Sequence, residues 1–181
     1  MILTGDEIRR QVEHGSIMID PFDPARCTTN SYDLALGHRY LVYQDEILDP
    51  RVQPTVHTHE IPAEGLLLRP GDFVLAETAE RIGSDRYVPL IHAKSGTARM
   101  GLFVHVTADL FDIGFYGQST LQLYATLPVR IRPGMLIAQT TFWVSHGSIR
   151  LYDGKYQASD GPQASRTYLD HQPRTVQHGR R

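Results

Sequence analysis

Cysteine is nearly absent from the 181-residue sequence: Cys27 stands alone. An intrachain disulfide, a Cys-x-x-Cys redox pair and a zinc site built on several thiolates are therefore excluded. Long apolar runs are missing too. Nowhere do about 18 uncharged apolar residues follow one another, and the chain turns polar after Met1-Ile2-Leu3, so neither a membrane span nor a secretory leader is expected. Neither charge sign dominates, since 18 Lys and Arg face 20 Asp and Glu for a net charge of −2. Nucleic-acid binding, which usually shows as a clearly basic domain or stripe, is not expected. The phosphate loop Gly-x-x-x-x-Gly-Lys-Ser/Thr, a Gly-x-Gly-x-x-Gly after a strand, and Gly-x-Ser-x-Gly do not occur. The zinc deaminase signature needs more cysteines than the chain has. These absences predict a cytoplasmic protein with no nucleic-acid and no membrane partner.

Apolar residues make up 41% and charged residues 21%, which is ordinary globular usage. The length predicts a single domain over 1–170, and falling hydrophobicity predicts a mobile tail over 171–181. Thr4-Gly5-Asp6-Glu7 has the form of a capping box, with Ile8 and Val12 four apart and Gly15 as a stop, so one short helix opens the chain. Brief apolar and aromatic runs follow between Pro, Gly and Asp: Ser16–Ile19, Tyr32–Leu36, Tyr40–Tyr43, Leu66–Leu68, Asp72–Ala76, Val88–His92, Leu102–Val106, Ser119–Leu123 and Met135–Val144. Arg69-Pro70-Gly71 and Arg132-Pro133-Gly134 preset tight turns between them. Many short strands joined by turns predict a sandwich or barrel. Ile137, Phe142 and Trp143 are expected in the core of the last strand.

Nine histidines invite a search for metal ligands. His57-Thr58-His59 would put two rings on one face of a strand, but no third ligand follows by spacing, and the surrounding Val52–Pro62 reads as a solvated loop. No side chain is assigned as a metal ligand. Lys94-Ser95-Gly96-Thr97-Ala98-Arg99 offers two cations, hydroxyls and a backbone N–H free of a side chain, which is what phosphates need. Spacing alone leaves an exposed helical turn equally open. Thr107–Gly117 places Asp112 among aromatic and glycine residues, as for a carboxylate that orients a sugar hydroxyl or water. A plain hairpin turn would have the same composition.

Together these segments resemble the trimeric dCTP deaminase and dUTPase family. The likeness runs in order through Met1–Thr4, Asn30–Gly37, Arg69–Leu75, Lys94–Leu102, His105–Ala108, Asp112 with Gly114-Phe115 and Gly117, Arg132–Met135 with Ile137–Gln139, and Lys155–Gln157 with Gly161-Pro162 and Ser165-Arg166. It implies a mainly β subunit, a distorted jelly-roll-like, dUTPase-like barrel with a short N-terminal helix and few other helical turns. It further implies a homotrimer whose interface sites bind a deoxypyrimidine nucleoside triphosphate, with Mg²⁺ held mainly through the phosphates and no zinc. Carried over position by position, Lys94, Ser95, Gly96 and Arg99 would meet phosphates or the catalytic water. Val106, Thr107 and Ala108 would read the base, Asp112 the sugar, and Phe115 would wall the pocket. Gln139, Tyr152, Lys155, Tyr156 and Ser159 complete the nucleotide-binding set, and Gln122, Ser95, Arg99 and Asp112 are the catalytic set.

The likeness is not uniform. The deaminases it resembles carry a proton-shuttling glutamate where this chain has Gln122, and an amide has no proton to shuttle. Gly96 resembles the dUTPase loop, whereas Arg99 and the Ser31–Gly37 block resemble the deaminases. The expected activity is hydrolysis of a deoxypyrimidine nucleotide, with dCTP and water giving dUTP and ammonia, on dCTP or a modified cytosine nucleotide, and with Asp109 as a possible substitute acid. The alternatives are a dUTPase-like diphosphohydrolase releasing pyrophosphate and a catalytically silent nucleotide-binding regulator.

Overall fold

The computed structural model describes residues 1–172, so most of the expected tail, from 173 onward, lies outside the described residues. Helix α1 (Gly5–Glu13) opens the chain, and ten strands follow: β1 (Ile17–Asp20), β2 (Tyr32–Tyr43), β3 (Val56–Glu60), β4 (Leu66–Leu68), β5 (Phe73–Ser84), β6 (Tyr87–Ala93), β7 (Leu102–Phe103), β8 (Tyr116–Ala125), β9 (Val129–Ile131) and β10 (Leu136–Val144). A single-turn helix α2 (Ser95–Arg99) sits between β6 and β7, and 3₁₀ turns occur at Pro24–Arg26 and Thr167–His171. The fold is mainly β, a distorted jelly-roll-like barrel. Its eight-stranded antiparallel sheet runs β6-β10-β2-β5-β8-β7, with β1 added on β5 and β3 on β2, while β4 and β9 pair separately.

Helix α1 forms where the capping box predicted it. Thr4 is the N-cap, its Oγ1 accepting from Glu7 N–H, Ile8 is fully buried, and Gly15 follows with a φ of +75°. On β8 the burial alternates strictly, with Gly117, Ser119, Leu121, Leu123 and Ala125 inward and Gln118, Thr120 and Gln122 on the opposite face. The core gathers Tyr32, Leu34, Leu36, Ile82, Leu121, Leu123, Ile137 and Phe142 from the central strands. Trp143 departs from its expected place: it is 40% exposed and donates from Nε1 to Thr141 Oγ1 at 3.0 Å. Successive residues of a strand face opposite sides, so Phe142 and Trp143 cannot both point inward.

Four further expectations are corrected. Tyr32–Leu36 and Tyr40–Tyr43 are one strand, and Asp72–Ala76 continues to Ser84. The run Leu102–Val106 keeps strand pairing only over its first two residues. Val56–Glu60, expected as loop, is an edge strand paired to Arg39–Tyr43, with the His57 and His59 ring centroids 4.2 Å apart and His59 stacked on Tyr40. Period-2 alternation was present there, but both faces of an edge strand are half-solvated, and polar composition hides it.

The long strands β2 and β5 do not pair continuously. Register shifts fall between Leu36 and Tyr40 against β5, and between Glu77 and Arg81 against β8. Two buried glutamates fill these breaks. Glu77 Oε1 accepts from the backbone N–H groups of His38 and Arg39, both at 3.1 Å, and its carboxylate pairs with Arg39 Nε at 2.9 Å. Glu80 accepts from Ala35 N–H at 3.0 Å and pairs with Arg26, while burial pushes its carboxyl above the usual range. Gly37 is required alongside, because a Cβ there would lie 2.3 Å from Glu77 Cγ. Glu77→Ala is expected to lower unfolding stability by about 2 kcal/mol, since it removes the acceptor of two part-buried backbone N–H groups and one partner of Arg39 at once. Urea denaturation checks this, and a loss below about 1 kcal/mol, within the range of a single ordinary hydrogen bond, would contradict it.

Candidate functional site

The outward face of β8 is the floor of a cavity of about 680 Å³. Gln118, Thr120 and Gln122 project from this floor, and Phe73 and Leu75 of β5 continue it, Leu75 lying opposite Gln122 in the ladder. The segment between β7 and β8 supplies one wall through Thr107, Ala108, Leu110, Phe111, Asp112 and Phe115. Its backbone is anchored to the edge of β6: Ile91 N–H donates to Asp109 O at 2.9 Å and Phe111 N–H to Pro89 O at 3.0 Å. Phe115 is buried and packs against Phe111 and Tyr152, with centroids at 5.4 and 6.3 Å, giving an aromatic end to the cavity. Gly114 makes the turn before it possible, with a φ of +98° and Tyr152 N only 2.6 Å from where a Cβ would stand.

Gln122 is held by its neighbours. Its Oε1 accepts from Val106 N–H at 3.3 Å, so what it offers a ligand is the two N–H groups of its amide. A glutamate at this position would offer an acceptor and a titratable proton instead. Exposed Asp112 is the one acid among the described residues that line the cavity.

The chain after β10 returns as a strap across the far wall. Gln118 N–H donates to Ser159 O at 2.9 Å, Ala158 N–H to Tyr116 O at 3.1 Å, and Gln163 N–H to Thr120 Oγ1 at 2.9 Å. Gln157 pins the start of this strap, donating from Nε2 to Gly114 O at 2.7 Å and accepting from Tyr116 N–H at 2.9 Å. Tyr152, Tyr156, Ser159, Gln163, Ser165 and Thr167 line the cavity from it. The Ser159 hydroxyl is already used, donating to Tyr156 O at 2.6 Å.

Of the residues singled out from the sequence, Thr107, Ala108, Asp112, Phe115, Gln122, Tyr152, Tyr156 and Ser159 meet in this cavity, and Val106 backs it through Gln122. Lys94, Ser95, Gly96 and Arg99 do not line it. Ser95, Gly96 and Arg99 are exposed on the α2 turn, and Lys94 pairs with Asp33. Gln139 is inside the sheet, opposite Asp33 and His92, and accepts from Ser31 Oγ at 3.3 Å. Lys155 pairs with Asp170 outside the cavity. The sequence reading missed Gln118 and Thr120, which the alternation around Gln122 could have supplied. It also missed Tyr43, Phe73 and Leu75, which only strand pairing brings alongside.

An aromatic-ended cavity on a jelly-roll-like barrel, with amide and hydroxyl groups on its floor and one carboxylate at its wall among the described residues, has the shape and chemistry to hold a flat polar ring. Comparison with known proteins sharpens this class. The model of the family described as dCTP deaminase-like matches residues 2–145. The dUMP-forming dCTP deaminase of Clostridium beijerinckii is 41% identical over 171 residues, which is 94% of this chain and 98% of that protein, and that of Cytophaga hutchinsonii is also 41% identical over 94% and 98%. The crystal structure of 2′-deoxycytidine 5′-triphosphate deaminase from Agrobacterium tumefaciens superposes with a TM-score of 0.64 at 20% identity, over 80% of this chain and 48% of that one, a likeness of fold. The chain belongs to the dCTP deaminase-like family of enzymes. Among its described residues no helix is long and apolar enough to cross a membrane.

Gln157→Ala removes the two side-chain hydrogen bonds that tie the strap to Gly114 and Tyr116 and is expected to cost roughly 1–2 kcal/mol locally. Hydrogen exchange at the Gln118 and Ala158 amides should speed up while the β2 amides stay protected. Equal acceleration throughout would mean that the strap is not a separate unit.

Proposed function

We propose that the protein converts dCTP to dUMP, with the cavity over β8 holding the nucleoside. The observation that carries this is the meeting of Thr107, Ala108, Asp112, Phe115 and Gln122 in one cavity, in a chain similar over 94% of its length to dUMP-forming dCTP deaminases. Making dUMP from dCTP consumes two waters. One replaces the amino group at C4, breaking C4–N and releasing ammonia, and the other breaks the α-phosphorus–oxygen bond and releases pyrophosphate. The product is therefore dUMP rather than the dUTP expected from the sequence, and pyrophosphate release, weighed there as a rival chemistry, becomes a second step of the same reaction.

Phe115 walls the base, the exposed backbone of Thr107 and Ala108 reads its edge, and Asp112 holds the sugar hydroxyl. Lys94, Ser95, Gly96 and Arg99 face away from their own cavity, so they reach a triphosphate only across an interface. This supports a homotrimer in which each α2 turn completes a neighbouring copy's site. Phosphates account for most of the ligands of Mg²⁺, in keeping with Asp112 as the lone carboxylate lining the cavity among the described residues. When bound, the ion neutralises charge on the triphosphate. The family favours work in the cytoplasm.

Gln122 favours a second reading. Its amide positions water or a carbonyl by donating hydrogen bonds and moves no proton, so the deamination step is slowed and dUTP, with a carbonyl at C4, becomes the better ligand. The same pocket then performs only the pyrophosphate-releasing step. Incubation of purified protein with dCTP or dUTP and Mg²⁺, resolved by ion-exchange chromatography, separates the two: dUMP from both substrates supports the first, dUMP from dUTP alone the second, and no product from either refutes both. Gln122→Glu is expected to raise the deamination rate by about 10² to 10⁴, the usual worth of a general acid–base group. An unchanged rate would place the proton carrier elsewhere.

A further inference from the structure

Beside the segment that carries Thr107 and Ala108, three side chains that the proposed function leaves unused converge. His92 of β6, His105 and Asp109 bring one ligand atom each to within 4.8 Å of one another, a group of three metal-ligating side chains among the described residues. None of the three lines the cavity. His92 and His105 face each other edge to face, with ring centroids 6.4 Å apart.

Each side chain is already oriented by its surroundings. Thr141 Oγ1 lies 3.1 Å from His92 Nε2 and is itself fixed by the Trp143 indole N–H. Such outer partners are what set the ring orientation of ligating histidines. Asp109 has its backbone tied to β6 through the Ile91 N–H. His105 Nδ1 is buried without a hydrogen-bond partner among the described residues. A buried, unpaired ring nitrogen costs stability unless something occupies its lone pair or takes its proton. Burial lowers the His105 pKa, with Asp109 opposing the shift and His92 adding to it.

We propose that His92, His105 and Asp109 form a site for a divalent first-row transition metal of the zinc class, which clasps the segment facing the base onto β6. Two imidazoles and one carboxylate select such an ion over Mg²⁺, which prefers oxygen ligands. Around zinc, ligand atoms stand roughly 3.4 Å apart, so small side-chain rotations close the site and leave a fourth position for water. His105 and Asp109 flank Val106, Thr107 and Ala108, so the metal holds both ends of the segment whose Val106 N–H engages Gln122. The role is one of positioning, because the site lies outside the cavity and the ion would not meet the nucleotide.

The test needs no nucleotide and so stands or falls apart from the proposed function. Untagged full-length protein, stripped with a chelator and dialysed, is titrated with Co²⁺ while the visible ligand-field absorption is followed. The expected result is a band that saturates at one equivalent per chain, is displaced by Zn²⁺ and not by excess Mg²⁺. Metal should raise Tm in the same preparation. Asp109→Asn and His92→Gln, which keep side-chain volume, are expected to weaken binding at least tenfold, whereas a His57→Ala, His59→Ala double variant should bind as the parent does. The proposal is overturned if folded, stripped protein gives no saturable band, if the band survives both ligand substitutions, or if it disappears with His57 and His59.

Discussion

The architecture depends on how β2 and β5 are allowed to part. Two twelve-residue strands cannot keep one register while bending around a barrel, and here the mismatch is taken up over a few residues. Parting leaves backbone N–H groups of Ala35, His38 and Arg39 without ladder partners, and a buried donor without an acceptor costs more than an ordinary hydrogen bond gains. Glu77 and Glu80 answer this with carboxylates that are themselves compensated by Arg39 and Arg26. The arrangement extends to the site. Arg39 also donates to Gln118 Oε1 and Asp160 Oδ1, both at 3.2 Å, and Gln118 Oε1 accepts from Gly161 N–H at 2.7 Å. A charged group that closes a gap in the sheet thus also fixes the floor of the cavity and the strap above it.

The division of the candidate site residues follows from the same geometry. The β8 face and the two segments that pack on it come together within one chain because they are hydrogen-bonded to each other along their length. The α2 turn follows β6, where Ser95 and Arg99 are exposed, Lys94 pairs with Asp33 and Thr97 is buried, and none of them lines the cavity. A triphosphate that used both groups would require a second copy, which is the physical content of the trimer proposal. Gln122 lines the cavity from β8, and with its Oε1 accepting from Val106 N–H its amide N–H groups are what it offers to the cavity.

Local pattern made much of this legible. The capping box of α1 and the Pro-Gly turns are short-range features, and each appears where the residues placed it. Ordered blocks of likeness along the chain were enough to identify the family and the mainly β fold. Less legible were the full lengths of β2 and β5, because Gly37-His38-Arg39 and Glu80-Arg81 read as strand ends when their buried partners are unknown. The strand at Val56–Glu60 was hidden by its polar composition, and Trp143 was misplaced by hydrophobicity counted without alternation.

What the sequence determined by itself was therefore the inventory: which short elements form, which polar and charged groups a site has available, and that residue 122 is an amide with no titratable proton. These follow from residue type and spacing over a few positions, where propensity, capping and turn chemistry act. Only the tertiary structure decided which groups meet. It placed Gln118, Thr120 and Gln122 beneath Asp112 and Phe115, turned Lys94 and Arg99 away from them, and brought His92 to His105 and Asp109. Those neighbours are set by strand register and by the breaks that buried glutamates stabilise, and contacts between residues far apart in the chain leave no mark in local spacing.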